Sequence, residues 1–143
     1  MGIAYTCSLD RKLALVAWEG VVSWDEWWAH LQRMLFDPAY APMQLQITDL
    51  RHSSLSPTIS NVEIQAMVDL AASQRRRLSL SRVAIVAGDE WERPRLAETA
   101  LESRSVTAIV FNDLTTACMW LGVDAAEAAA DLGRIRLKLR PGP

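Results

Sequence analysis

The sequence has few of the residues that bind metal ions or form disulfide bonds. Its only cysteines are Cys7 and Cys118, and its only histidines are His30 and His52. The two cysteines lie far apart within apolar runs, so the sequence contains neither a disulfide framework nor a Cys-x-x-Cys pair. Neither histidine has a second histidine or a cysteine at the spacing typical of metal ligands. We therefore expect two reduced, buried thiols and no metal site.

The sequence also lacks a strong net charge and a long apolar run. Its formal net charge is −2, whereas a domain that binds nucleic acid or an anionic membrane usually has a strongly basic face. No apolar run reaches the roughly 18–20 residues of a membrane span, and no charged start precedes an apolar stretch. These absences predict a cytoplasmic protein with no nucleic-acid partner and no stable membrane insertion.

The motifs of common enzyme classes are missing as well. The six glycines form neither G-x-G-x-x-G nor G-x-x-x-x-G-K, which removes the usual nucleotide-binding signatures. Asp49, His52 and Ser54 carry the groups of a hydrolytic triad, but they fall within six positions of one another. Triad members usually come from separate elements of the fold. We therefore predict a protein that is not an enzyme, with no catalytic residues and no cofactor.

What the sequence does contain is an alternation of strands and helices over the length of one domain. Ser23 and Glu26 form an S-x-x-E capping box, which predicts a helix start. Ser60 and Glu63 form a second one. The pattern predicts a single α/β domain, a mixed β-sheet of about five strands flanked by about four helices. Strands are predicted at 3–9, 12–20, 43–50, 82–88 and 105–111, and helices from 23, over 60–77, within 89–103 and over 113–122.

The last twenty residues follow a different pattern. Residues 124–133 are rich in alanine and predict a further helix that ends at Gly133. Residues 134–140 then alternate basic and apolar side chains, which favours a strand with one basic face, and a disordered basic tail is the alternative. We accordingly divide the chain into a domain over 1–123 and a C-terminal helix with a basic strand or tail over 124–143.

Tryptophan is abundant, with six residues of this type in 143. Trp24, Trp27 and Trp28 recur with aliphatic residues along one side of the first predicted helix, and we expect Trp28 to be buried against the sheet. Trp91 lies in the polar segment GDEWERP, so we expect its ring to be exposed or at an interface. Aromatic rings that cannot all be buried often mark contact surfaces or ligand pockets.

The order of these elements resembles the SpoIIAA-like family of STAS-related domains. The resemblance covers roughly residues 3–123 and includes TDLR at the end of the third strand, VAIVAGDE at the fourth and VFNDLTTACMWL near the end. It implies a small non-enzymatic module, because STAS domains proper are anti-sigma factor antagonists or parts of transporters and sensors. It also implies that phosphorylation of a serine at a helix start can control the binding of a partner.

The segment RHSSLSPTISN contains the serines that could carry such a phosphate. The motif of the family is Asp-Ser-Ser-Gly, whereas here Ser53 and Ser54 are preceded by His52 and followed by Leu55. A phosphate in this predicted loop would find helix-terminal amides and Arg51 nearby, but serines before a helix are also common as caps and turn residues. We favour the capping and turn roles. The candidate binding residues are Arg51, His52, Ser53, Ser54 and Trp91.

Two functional hypotheses follow from the sequence. The first is a regulatory or protein-interaction domain that forms a homodimer, since the predicted terminal strand would offer an unpaired edge to a second copy. The alternative is a binder of a small apolar or amphipathic, lipid-like ligand, because STAS-like folds resemble lipid-binding SEC14-type domains. A flat apolar patch would favour the protein partner, and a closed concavity would favour the ligand.

Overall fold

The computed structural model describes residues 2–74, 77–88 and 106–139, and within them a five-stranded mixed sheet. Strand β1 pairs with β2 in antiparallel register, and each later strand pairs with its predecessor in parallel. The spatial order of the strands equals their order in the sequence. The predicted mixed sheet is therefore confirmed. The strands are β1 (Gly2–Ser8), β2 (Leu13–Val22), β3 (Leu45–Leu55), β4 (Arg82–Val86) and β5 (Thr107–Phe111).

Four helices are described, and two of them begin at the capping boxes predicted from the sequence. Ser23 and Ser60 each accept a hydrogen bond from the backbone N–H of a glutamate three residues on, and the carboxylate of each glutamate accepts one from the backbone N–H of the cap. Asp113 caps the next helix, which ends at Gly122 with a φ of 73°. The helix predicted within 89–103 lies outside the described residues. The helices are α1 (Trp24–Leu35), α2 (Asn61–Ser73), α3 (Leu114–Leu121) and α4 (Ala125–Leu137).

The sheet has helices on both of its faces. Along β2, alternate residues point to opposite sides, so Val16 belongs to the core cluster under α1 and α2. Its neighbour Leu15 belongs to the cluster under α3 and α4. Both side chains are almost completely buried. This arrangement explains why β2 is apolar at nearly every position, because a strand covered on both faces has no solvent-facing side.

Strand β3 is longer than the sequence predicts. It continues through Leu55, so the residues assigned to a polar loop after 50 are strand residues. The long partner strand β2 explains the difference, since Gly20 pairs with Ser53 and Val21 pairs with Ser54. A neighbouring strand that supplies ladder hydrogen bonds outweighs the low strand preference of polar residues.

Residues 134–137 are helical, and this corrects the prediction of a strand or disordered tail that begins at 134. Helix α4 passes through Gly133 and reaches Leu137, and residues from 140 onward lie outside the described part. Leu132 and Ile135, three positions apart on the helix, are both buried in the core cluster. The free energy gained by burying one face of the helix outweighs the strand preference that the alternating basic and apolar residues indicated.

Candidate functional site

A cavity of about 180 Å³ lies between the sheet and the two helices α1 and α2. Side chains from all three parts of the fold line it, and most of them are aliphatic or aromatic. The cavity is thus an apolar space inside the domain, with walls formed by elements far apart in the sequence. Representative lining residues are Val16, Leu50 and Val83 from the sheet, Leu31 and Leu35 from α1, and Ile64 from α2.

Three polar side chains in the cavity wall bind one another. The hydroxyl of Tyr40 donates to Oε1 of Gln46, and Nε2 of Gln46 donates to Oγ1 of Thr48 at 2.9 Å. Gln46 and Thr48 are two positions apart on β3, so their side chains share the face covered by α1 and α2. Burial of Tyr40 raises the pKa of its hydroxyl well above the ordinary value, so this group remains a hydrogen-bond donor. The side chains of Tyr40, Gln46 and Thr48 therefore all have hydrogen-bond partners within the protein.

His30 on α1 is the fourth polar group in the wall, and it differs from the other three. Its side chain is buried, with the residue only 4% exposed, and its Nδ1 has no hydrogen-bond partner in the described structure. The ring of Tyr5 packs edge-on against the imidazole, with 5.7 Å between ring centroids. Burial, together with the charge of Arg33, lowers the pKa of His30 to about 4. His30 is therefore an uncharged imidazole at neutral pH.

The tryptophans of α1 divide between the cavity and the outer surface. Trp27 lines the cavity, and its ring meets that of Trp18 edge-on at 5.5 Å between centroids. Trp28 instead stacks on Trp24, with 5.6 Å between centroids and 15° between ring planes, and both residues are partly exposed. The prediction that Trp28 is the buried ring was wrong, since adjacent helical residues point about 100° apart and Trp27 takes the inward direction.

The residues that the sequence analysis selected as binding candidates lie on β3 and do not line the cavity. Arg51 and His52 are exposed, Ser54 is partly buried, and Ser53 is buried with its hydroxyl donating to the carbonyl of Leu50 at 3.0 Å. Ser53 and Ser54 are thus strand residues, eight and seven positions before the helix start at Asn61. Trp91 lies outside the described residues.

A cluster of charged side chains lies on the opposite face of the sheet, and the sequence analysis missed it. Asp49 is fully buried, and Arg51 binds it through two nitrogens at 2.9 and 3.0 Å. Arg136 of α4 also binds Asp49, and its Nε lies 3.4 Å from Glu19. Burial raises the pKa of Asp49, but the hydrogen bonds and charge of Arg51 and the charge of Arg136 outweigh it, and the net shift is downward. The carboxylate therefore stays ionised and fastens α4 to the sheet.

A second ion pair holds the other end of α4. Arg11, in the turn between β1 and β2, donates to Asp131 at 2.5 Å and lies 3.7 Å from Glu127. Both clusters join positions that are more than 80 residues apart in the sequence. Since the carboxylates of both clusters bind arginines of the same chain, we assign them to the attachment of α4.

Metal ligands and membrane spans are not found in the described part of the chain. Over residues 2–74, 77–88 and 106–139, no three histidine, cysteine, aspartate or glutamate side chains are grouped as a metal ion would require. None of the helices in these ranges has the length and apolar character needed to cross a bilayer.

Comparison with known proteins identifies the fold. No protein-family model matches the sequence, and no curated protein matches it. Among solved structures, the chain is similar to an uncharacterized protein from the DUF3478 family with a SpoIIAA-like fold, from Shewanella loihica PV-4. The sequence identity is 17% and the TM-score is 0.53, and the similarity covers 84% of this chain and 94% of the other. The predicted resemblance is therefore confirmed in the architecture, and the chain is an α/β domain with a SpoIIAA-like fold.

Proposed function

We propose that the protein is a non-enzymatic binding module that holds a small apolar ligand between α1, α2 and the sheet. The observation that carries this proposal is the cavity of about 180 Å³ with an almost entirely apolar wall. Protein interiors are close-packed and contain few voids larger than a water molecule. A concave, mostly apolar wall with a few polar groups is typical of sites that bind small molecules.

The composition of the wall supports binding over catalysis. Among the described residues that line the cavity, the titratable side chains are those of His30 and Tyr40, and no carboxylate, lysine or cysteine accompanies them. A general base needs a reacting partner within hydrogen-bond reach, and a nucleophile needs a base beside it. In the described wall, His30 is an uncharged imidazole, and the hydroxyl of Tyr40 already donates to Gln46.

Binding of toluene tests the proposal, because a dry apolar cavity takes up small aromatic hydrocarbons. We expect toluene to shift the methyl resonances of Leu50 and Val83, which line the cavity, in a titration followed by NMR. The methyl groups of Leu13 and Leu15 pack on the opposite face and serve as an internal reference that does not shift. Unchanged resonances for Leu50 and Val83 up to the solubility limit of toluene would contradict the proposal.

A pair of variants tests the same proposal by adding a phenylalanine ring inside or outside the cavity. Ala71 of α2 lines the cavity, so Ala71→Phe places a ring where the ligand would lie and should abolish the toluene shifts. Ala29 of α1 is exposed, and Ala29→Phe adds the same ring outside the cavity and should leave toluene binding intact. Equal binding of toluene by both variants would locate the ligand elsewhere.

A regulatory, protein-interaction role is the second candidate, and exposed valines favour it. Val21 is 56% exposed at the end of β2, beside Ser54, and Val62 is 79% exposed in the first turn of α2. Exposed apolar side chains are often found where a protein contacts its partner. A homodimer is the assembly we propose, and light scattering at micromolar concentration tests it. Val62→Glu should return such a dimer to monomer, and a wild-type protein that is monomeric at these concentrations would contradict it.

A further inference from the structure

We infer that the part of the ligand that enters the cavity is an aromatic ring, and that the indole of Trp27 selects it over an aliphatic group with the same number of carbon atoms. This inference rests on the proposed function and narrows it to one class of ligand. It differs from the lipid-like ligand expected from the sequence, since an acyl chain has no aromatic face. Two observations carry it, namely that Trp18 and Trp27 both line the cavity and that their rings are steeply inclined to each other.

A strand and a helix bring the two indoles together. Trp18 follows Val16 by two positions on β2, so its side chain lies on the face of the sheet that α1 and α2 cover. Trp27 belongs to α1, and its ring meets that of Trp18 with 5.5 Å between centroids and 66° between ring planes. Because both residues line the cavity, the two inclined rings form an aromatic corner in its wall.

The geometry of this corner suits a third aromatic ring. Aromatic rings attract one another when they are offset-stacked or edge to face, with centroids about 4.5–7 Å apart. A ligand ring that lies parallel to one indole is steeply inclined to the other, because the two indoles are themselves inclined by 66°. Such a ring can stack on one indole and meet the other edge-on, and both contacts are favourable. An aliphatic ring has no comparable quadrupole and gains free energy from contact area alone.

Two further side chains of the wall favour an aromatic occupant. Met34 of α1 is buried and lines the cavity, and a thioether sulfur makes favourable contacts with aromatic rings. Tyr40 adds a phenol ring, whose hydroxyl already donates to Gln46. The aliphatic side chains of the wall can contact an aromatic or an aliphatic occupant. The preference for an aromatic ring therefore comes from the indoles, the phenol and the thioether.

Benzene and cyclohexane provide the test, because each has six carbon atoms and only benzene is aromatic. We would measure both dissociation constants by NMR titration for the wild-type protein, for Trp27→Leu and for Trp27→Phe. Leucine removes the aromatic face, whereas phenylalanine keeps one in a side chain smaller than tryptophan. Trp28→Leu is the matched control, since Trp28 is the next residue of α1 but stacks on Trp24 outside the cavity wall.

The informative quantity is the affinity for benzene divided by the affinity for cyclohexane. In Trp27→Leu we expect this ratio to fall about 2- to 13-fold, which corresponds to the loss of one aromatic pair. The ratio should fall less in Trp27→Phe and should not change in Trp28→Leu. A ratio that is equal in the wild type and Trp27→Leu, or that falls as far in Trp27→Phe, would overturn the inference while binding of either compound still supported the proposed function. Failure of both compounds to bind would overturn the proposed function itself.

A second measurement keeps the inference testable if Trp27→Leu does not fold. In the wild-type protein with isotope-labelled tryptophan, the protons of bound benzene should give nuclear Overhauser effects to the indole protons of both Trp18 and Trp27. This result is expected because a ring in the corner touches both indoles. Bound benzene that gives no such effect to Trp27 would lie elsewhere and would contradict the inference.

Discussion

Replacement of Asp49 by asparagine should destabilise the protein strongly. Asp49 is fully buried on the face of the sheet opposite the cavity, and its two carboxylate oxygens bind Arg51 and Arg136. The substitution keeps the shape of the side chain and removes its charge. Both arginines then lose their anion, and Arg136 is itself buried, with Glu19 the remaining carboxylate close to it.

The magnitude follows from the number of charges left without a partner. Removing one member of a buried ion pair typically costs about 3–5 kcal/mol, so Asp49→Asn should lower the melting temperature by about 6–20 °C in a domain of this size. Arg136→Met should cost less, about 1.5–3 kcal/mol, because Asp49 keeps its two bonds to Arg51. Replacing Asp49 should thus lower the stability more than replacing Arg136, although the two residues form one ion pair.

Denaturant unfolding of both single variants and the double variant, followed by circular dichroism, measures these effects. The double variant should be less destabilised than the sum of the two single variants, because it removes both charges of the pair. The pKa of Asp49 is lowered in the folded state, so its contribution is present above the unfolded value near pH 4 and is lost as the pH falls further. An Arg136→Met variant less stable than Asp49→Asn would refute the reasoning.

Three further predictions concern the caps, the tryptophans and the buried histidine. Ser60→Ala removes an N-cap and should cost about 0.5–2 kcal/mol, and a smaller loss than with Ser54→Ala in urea melts would contradict the capping role. Trp27→Ala should cost about 3–5 kcal/mol, and Trp28→Ala should cost less in the same melts, since the latter ring stacks on a partly exposed neighbour. His30 has a pKa of about 4 when folded and 6.5 when unfolded, so the unfolded chain binds the proton more tightly and stability should fall by about 3 kcal/mol between these pH values. His30→Leu should lose this pH dependence, and a wild-type unfolding free energy that stays constant from pH 6.5 to 4 would contradict the assignment.

The sequence predicts helix starts well because capping is local chemistry. Ser23 with Glu26, and Ser60 with Glu63, form their reciprocal hydrogen bonds within four residues. The end of β3 could not be predicted in this way, since the partner that extends it is more than 30 positions away on β2. Helix α4 is a similar case. Its packing on the sheet, rather than its alternating sequence, determines its structure.

The cavity was beyond prediction because its wall comes from three strands and two helices. No short motif joins His30 to Gln46 and Thr48, and the bond that Tyr40 makes with Gln46 depends on how the loop after α1 packs. A signal was nevertheless present in β3. Gln46 and Thr48 alternate with the apolar Ile47, which places two polar side chains on one face of a strand with both faces covered.

The cavity proposed to bind a ligand and the ion cluster of Asp49 lie on opposite faces of the sheet, and we expect them to be independent. The cavity lies under α1 and α2, whereas the ion cluster of Asp49 lies under α4. Neighbouring residues of β3 point to opposite faces, so Asp49 and Thr48 contact different layers although they are adjacent in sequence. Arg136→Met should therefore lower the unfolding free energy and leave the affinity for toluene unchanged at temperatures where the variant is folded. A changed affinity would mean that α4 influences the cavity through the sheet, and that the two layers do not act independently.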